Sequence, residues 1–414
     1  MMRRWVSTRT RALQGRKWQP RRYSSFPYQQ DIHVPCASSG SITVTLHNLS
    51  DHRPTTPLVI WIPPLSYADG YGTPRIMLPR LLDQLPVATI NYRWCHPDHH
   101  EKTRWPLPIH DILFGYQWTI ENLAPPNLSR RDIYVYGSSL GASLAASLAL
   151  TESHAHEPMA VRGLIAYNGI YNWTTFLPDH PIHKAPRSKS TIPIPIPEPA
   201  PQADDDSLSD FRQSMPLLFG DPANIFDPFA SPILFFHTSG MNVPADFTTT
   251  ARSDFTRAVD ILSQTPPLSP DTDTSQETIH LKPPRKSHLV FPPRKSTLQI
   301  PETLLLHDPP PPFSGHTRRA RKSSAVRMNS FRHQAQELAH VMIRSVEMFE
   351  LKDRMRWDHE FEDPMARVEE AERRVRAVEV PMGGEGGGEG GHWGQLNEEG
   401  ERVAMEWLRE RIGL

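Results

Sequence analysis

Short apolar runs recur along this chain, each closed by proline, glycine or polar residues. Residues 58–62 (LVIWI), 87–92 (VATINY), 133–136 (IYVY), 161–167 (VRGLIAY) and 303–306 (TLLL) are of this kind. They are too brief for helices and rich in β-branched and aromatic side chains, so they read as buried strands. Residues 41–49 (SITVTLHNL) alternate instead, as a half-exposed strand does, and 374–380 (RVRAVEV) reads as the last strand. Between the strands the period changes. Ile109, Ile112, Leu113, Tyr116, Ile120 and Leu123 fall at helical spacing within 106–123, and 142–150 consists largely of the strong helix formers Ala and Leu. Residues 330–352 and 397–412 are amphipathic helices by the same pattern. Strands separated by helices and loops of this length predict βαβ units and a mainly parallel sheet, an α/β protein.

Residues 174–300 break the rhythm. The stretch 191–210 (TIPIPIPEPAPQADDDSLSD) is Pro-rich and then acidic, which predicts a mobile loop or an extended polyproline segment. Residues 232–237 (PILFFH) are apolar enough to be buried, and 265–297 return to Pro, Ser and basic residues. A partly ordered cap inserted over the sheet accounts for the whole region. Tyr171, Trp173, Phe176, Phe226 and Phe235 are candidates to line a pocket under it, or simply to pack it.

Composition adds further constraints. Proline, at 43 of 414 residues, is about twice its usual share, in keeping with long irregular segments. No apolar run reaches the ~18 residues that would span a membrane. The two cysteines, Cys36 and Cys95, give neither a disulfide framework nor a metal-type spacing. They fit a reducing compartment, as buried small hydrophobes. The formal net charge of −1 is unevenly spread: residues 1–30 hold seven Arg and one Lys with no acid, so the remainder carries −9. The charge balance of the body therefore gives no support to a nucleic-acid partner. The Arg-rich, hydroxylated, acid-free start has the composition of a mitochondrial transit peptide. Arg21-Arg22-Tyr23-Ser24-Ser25 resembles a matrix-processing site that would leave Ser24 as the new terminus. The expected organisation is a leader over 1–23, a first core half over 24–173, the insert over 174–300 and a second core half over 301–414, in the mitochondrial matrix.

The chemistry concentrates at Gly137-Ser138-Ser139-Leu140-Gly141, which joins the strand at 133–136 to the small-residue helix. Strand, G-x-S-x-G and helix in that order form a nucleophile elbow. The turn is too tight for side chains at 137 and 141, and its strain lifts the Ser139 hydroxyl above the sheet. The helix that starts there aims free N–H groups and a partial positive charge at the same point. A serine hydroxyl needs an adjacent base. His392, after the last strand and before the final helix, is the candidate among twenty histidines. Seven glycines flank it (383, 384, 386–388, 390 and 391), and Trp393 could shield the ring from water.

The chain order nucleophile, acid, base places the orienting acid after 303–306. Asp308 is the only carboxylate between that strand and the helix near 331. Asn329, five residues before Gln334, occupies a rival slot; an amide there could hold the histidine but could not stabilise its charged form. An oxyanion hole needs two backbone donors, and the Leu140 N–H is one. Pro63 and Pro64 have no N–H to give, so the second falls to Leu65 or Ser66, with Leu65 first.

These blocks, LVIWIPPLSYADG, VATINYRW, PIHDILFGYQWTIENL, YVYGSSLGASLAA, LIAYNGIYNW and the terminal GGHW with its helix, resemble the fold-3 group of α/β-hydrolases, the esterase- and lipase-like hydrolases, in particular divergent fungal members. The resemblance covers roughly half of the chain. It implies a mainly parallel eight-stranded sheet flanked by helices, an inserted cap and no cofactor. The implied reaction is hydrolysis of carboxylic esters or thioesters through an acyl-enzyme, with Ser139 and His392 as nucleophile and base. A small-molecule ester or lipid-like substrate with an apolar acyl group is the expected partner. The proline-rich loop in place of the family's HGGG and the uncertain acid leave a second class open, a hydrolase fold kept as a binding or scaffold module.

Overall fold

The computed structural model describes residues 29–64, 78–94, 100–126, 129–183, 206–249, 283–309, 329–380 and 396–413. The leader expected at 1–23, together with Leu65, Ser66, Cys95 and His392, lies outside them.

The strands are β1 (Gln29–Pro35), β2 (Ser41–His47), β3 (Leu58–Ile62), β4 (Val87–Asn91), β5 (Arg131–Ser138), β6 (Met159–Tyr167), β7 (Glu302–His307) and β8 (Val375–Glu379). They form one sheet in the order β1-β2-β4-β3-β5-β6-β7-β8. β1 pairs with β2, and β2 with β4, in antiparallel fashion. All the remaining neighbours are parallel. A parallel sheet has to be covered on both faces, and alternate residues of each strand serve the two layers. Leu58, Ile60, Ile62, Ile133 and Val135 face one apolar core with α1 (Leu107–Leu123), α2 (Leu140–Thr151) and α4 (Phe331–Ser345). Val59, Trp61, Tyr134, Tyr136 and Tyr167 face the other, closed by Trp407 and Leu408 of α6 (Glu398–Ile412).

α2 is buried from Leu140 through Leu150. Only Ala, Ser, Gly and Leu occur along that stretch, and the small side chains let the helix lie close against β5 and β6. At its C-terminal end Glu152 has its carboxyl pushed up to about 7 by burial. Because the folded value lies above the ordinary one, the folded state holds a proton that the unfolded chain has released between the two values. Stability is therefore full below about pH 4.5 and declines as pH rises towards 7. Glu152→Gln is expected to match wild type in urea unfolding at low pH and to be the more stable protein above pH 7. Equal stability of the two at pH 8 would refute the assignment.

The described residues between β6 and β7 join the first core rather than forming a separate one. Trp173, Met215, Leu218, Phe219, Ile225 and Ile233 are buried there with the helices. α3 (Asp206–Phe219) begins inside the acidic stretch expected to be a mobile loop. Leu208, Met215, Leu218 and Phe219 bury one side of it, which outweighs Pro216 in its interior. Tyr171, Trp173 and Phe176, offered as pocket linings, are core residues. Trp173 is 0% exposed and packs edge-on against Phe219 at 4.9 Å between ring centroids. Phe226 and Phe235 are half-buried against the same core. Among the described residues no helix is long and apolar enough to cross a membrane.

Candidate active site

The carboxyl ends of β5, β6 and β7 meet at one edge of the sheet, and the predicted site residues that are described lie there. Ser139 follows β5 directly and caps α2 with φ 55 and ψ −125, a backbone region that L-residues avoid at a cost of about 1–3 kcal/mol. Its N–H donates to the Tyr167 carbonyl at 2.8 Å, which anchors the turn to the neighbouring strand. The residue is 7% exposed. Leu140 opens α2, where an N–H has no acceptor within the helix and the dipole presents positive charge.

Two glycines make the turn possible. A Cβ at Gly137 would stand 2.5 Å from the Gly141 carbonyl oxygen. One at Gly141 would stand 2.5 Å from the Pro63 carbonyl oxygen and closer still to that of Ile62. The loop leaving β3 therefore crosses directly over the start of α2, where the second oxyanion donor was expected. The Tyr92 hydroxyl, donating to the Pro63 carbonyl at 3.0 Å, fixes that crossing. Both obstacles at Gly141 are backbone atoms, so Gly141→Ala is expected to cost about 1–3 kcal/mol in urea unfolding. A value below 0.5 kcal/mol would contradict the packing described.

An eight-stranded, mainly parallel sheet with a strained serine between β5 and a buried helix decides the architecture. The fold is that of the α/β-hydrolases. Among solved structures the chain is similar to carboxyl esterase 2 of the mycorrhizal fungus Tuber melanosporum, at 12% identity over 94% of this chain and 88% of that one, with a TM-score of 0.44. It is also similar to an esterase of Pyrobaculum calidifontis (15% identity, 93% and 84% covered, TM-score 0.39). A third likeness is to an esterase of Rhizomucor miehei (11% identity, 92% and 82% covered, TM-score 0.40). Likeness at this level concerns the fold alone. No protein-family model matches the chain, and a search of curated proteins finds no match.

In this α/β-hydrolase fold Asp308 stands one residue beyond β7, held by residues that the sequence had not singled out. The Tyr167 hydroxyl donates to Asp308 Oδ1 at 2.7 Å, and Asn168 Nδ2 donates to Oδ2 at 2.8 Å. Asn168 Oδ1 in turn accepts the Asp308 N–H at 3.0 Å. Asn168 adopts φ 49, a left-handed turn that asparagine tolerates. Burial and the adjacent Asp308 charge raise the Tyr167 hydroxyl well above the usual phenol range, so it remains a donor at any working pH. One residue thus touches both predicted partners, Ser139 through its carbonyl and Asp308 through its hydroxyl. Each carboxylate oxygen keeps a lone pair for a further donor.

Asn329 has a different occupation. Its Oδ1 accepts from Gln334 Nε2 at 2.8 Å, while Gln334 Oε1 accepts the N–H groups of Tyr171 and Asn172 at 3.0 and 2.8 Å. The network fastens the chain after β6 to the start of α4. His392 falls in 381–395, outside the described residues, but both flanks of that segment are placed. The Val380 N–H donates to the His307 carbonyl at 2.9 Å, beside Asp308. Val380 and Leu396 both belong to the apolar cluster that contains Tyr167. Among the described residues no three His, Cys, Asp or Glu side chains are grouped to hold a metal ion.

Proposed function

We propose that the chain is a serine hydrolase of carboxylic esters or thioesters with an apolar acyl group, working through an acyl-serine intermediate. The observation that carries this reading is the strained Ser139 at the head of α2, with β6 between it and the carboxylate clamped by Tyr167 and Asn168. In the mechanism, Ser139 Oγ attacks the carbonyl carbon and its proton passes to His392. The tetrahedral oxyanion accepts the Leu140 N–H and a donor from the loop after β3, with Leu65 the first candidate. Asp308 orients the imidazole and stabilises it once it is charged. His392 then returns the proton to the leaving alcohol or thiol. Water, activated by the same imidazole, releases the acid. No cofactor takes part. The Arg-rich composition of residues 1–30 supports action in the mitochondrial matrix.

Fluorophosphonate labelling of the folded chain tests the reading, with the adduct located by peptide mass spectrometry. Modification of Ser139 is expected in wild type and its loss in His392→Ala. One observation favours a second reading, a hydrolase fold kept as a binding or scaffold module: Pro63 and Pro64 withdraw two amide donors from the oxyanion loop. Folded wild-type protein that takes no label would overturn the hydrolase reading and point to the second.

A further inference from the structure

Residues 283–300 are a tandem repeat, PPRKSHLVF followed by PPRKSTLQI. The two units form an ordered strap on the outside of the helical layer that contains α2 and α4. In the first unit Ser287 and Leu289 pair with 236–238. The Thr238 N–H donates to the Ser287 carbonyl at 2.9 Å, and the Leu289 N–H to the Phe236 carbonyl at 2.8 Å. The second unit is tied to the end of α2, where the Ala155 N–H meets the Thr297 carbonyl at 3.0 Å and the Gln299 N–H meets the Ser153 carbonyl at 2.9 Å. Each unit buries its ninth residue. Phe291 packs against Phe235 and Phe236, with centroids at 5.0 and 5.2 Å, and Ile300 is buried near Glu350.

What the units leave outside is cationic and apolar. Arg285, Lys286, Arg294 and Lys295 are exposed, and the eighteen residues contain no acid. Lys286 lies 3.7 Å from Glu337, while Arg285, Arg294 and Lys295 form no ion pair with a described residue. Between the two basic pairs, Leu289 and Val290 are 43% and 47% exposed. Burial of Phe291, the next residue, fixes their place at the surface. Paired backbone and buried anchors pre-order this surface, so binding through it would lose little conformational freedom.

We propose that the strap is a docking surface for anionic phospholipid, with the two Arg-Lys pairs on the headgroup phosphates and Leu289 and Val290 in the acyl boundary. Charge complementarity specifies an anionic partner, and the aliphatic pair between the cations specifies a lipid surface over a polyanion dissolved in water. Neutralised headgroups and a shallow apolar contact are the two contributions that hold peripheral proteins on bilayers. The strap lies on the helical flank, outside the Ser139 site, and the proposal holds whether or not that site is catalytic.

Vesicle co-sedimentation tests it with the full chain. Wild type is expected to sediment with vesicles of phosphatidylcholine mixed with phosphatidylglycerol, to stay in solution with phosphatidylcholine alone, and to be released by salt. The R285E/K286E/R294E/K295E variant is expected to lose roughly a hundredfold or more in partitioning, because each cation near a charged surface contributes on the order of 1 kcal/mol. L289S/V290S is expected to lose roughly tenfold while ester turnover and thermal unfolding stay unchanged. Absence of wild-type binding to the anionic vesicles overturns the proposal. So does wild-type binding by the charge-reversed variant, since the cations before residue 30 would then be responsible. Undiminished binding of L289S/V290S with full competition by heparin would also overturn it, and would assign the strap to a soluble polyanion.

Discussion

Ser139→Ala is expected to lower ester turnover by about 10⁴–10⁶, the range seen when a serine triad loses one of its members, and to abolish fluorophosphonate labelling. Nothing else at the head of α2 could replace the hydroxyl. Ser138 belongs to β5 and is buried, and Ser143 donates to the Ile170 carbonyl at 2.5 Å. A residual rate above the uncatalysed one would persist, because the Leu140 N–H still stabilises an oxyanion formed by attacking water. Ser139→Gly separates chemistry from strain. It is expected to be as inactive as the alanine variant, yet more stable than wild type in urea unfolding by about 1–3 kcal/mol, since glycine accepts φ 55 freely. That pairing of lost turnover with gained stability would show that the turn is kept strained for the position of its side chain. Turnover within tenfold of wild type in Ser139→Ala would remove Ser139 from the chemistry.

The elbow was legible because every part of it is contiguous. Strand, turn glycines, serine and small-residue helix lie within twenty residues, and local sterics alone dictate their arrangement. The other central strands were legible for a related reason: strands covered on both faces are apolar at nearly every position, as in LVIWI. Elements without that signature were passed over. β1 (QQDIHVP) is an edge strand with one buried residue, Val34, so backbone pairing to β2 forms it rather than burial. α3 was hidden by the prolines before it and by Pro216 within it. The helix over Pro364–Arg374, here α5, buries only Ala371; it stands on the Asp363 cap and the Arg373–Glu370 ion pair. The clamp on Asp308 could not be read at all. Tyr167 and Asn168 are about 140 residues away in sequence, and only the register of β6 with β7, Tyr167 opposite Leu306, brings them together. The sequence offers one faint signal, an Asn-Gly pair directly after a buried strand, where a left-handed turn is favoured. Asn329 drew attention as the rival slot for the orienting acid, five residues before Gln334, but the Gln334 amide that occupies it follows from packing alone.

Asp308→Asn is expected to reduce kcat by about 10⁴ with KM little changed, as loss of the carboxylate does in a serine triad. Two effects act together. A neutral amide cannot stabilise the imidazolium that His392 would become in the proposed acyl transfer. The clamp also turns against the substitution, because both of its side-chain members donate. With Asn at 308, one of the two positions now occupied by carboxylate oxygens becomes an NH₂ group facing the Tyr167 hydroxyl or Asn168 Nδ2. Two donors then meet, and either the amide swings out of position or the tyrosine hydroxyl reverses to accept. Tyr167→Phe separates the two contributions. It leaves the charge in place and removes one of the donors that hold it, so a kcat loss of about tenfold is expected, near the cost of one hydrogen bond to a charged group. Asp308→Asn/Tyr167→Phe is expected to be no worse than Asp308→Asn alone, since the clamp acts only through the carboxylate it holds. Additive losses would mean that the Tyr167 hydroxyl serves the reaction independently of Asp308, since the carbonyl that holds the Ser139 N–H is unchanged by the substitution. Activity within tenfold of wild type in Asp308→Asn would place the orienting acid elsewhere, and Tyr167 and Asn168 would then be the polar seam that closes β6 against β7.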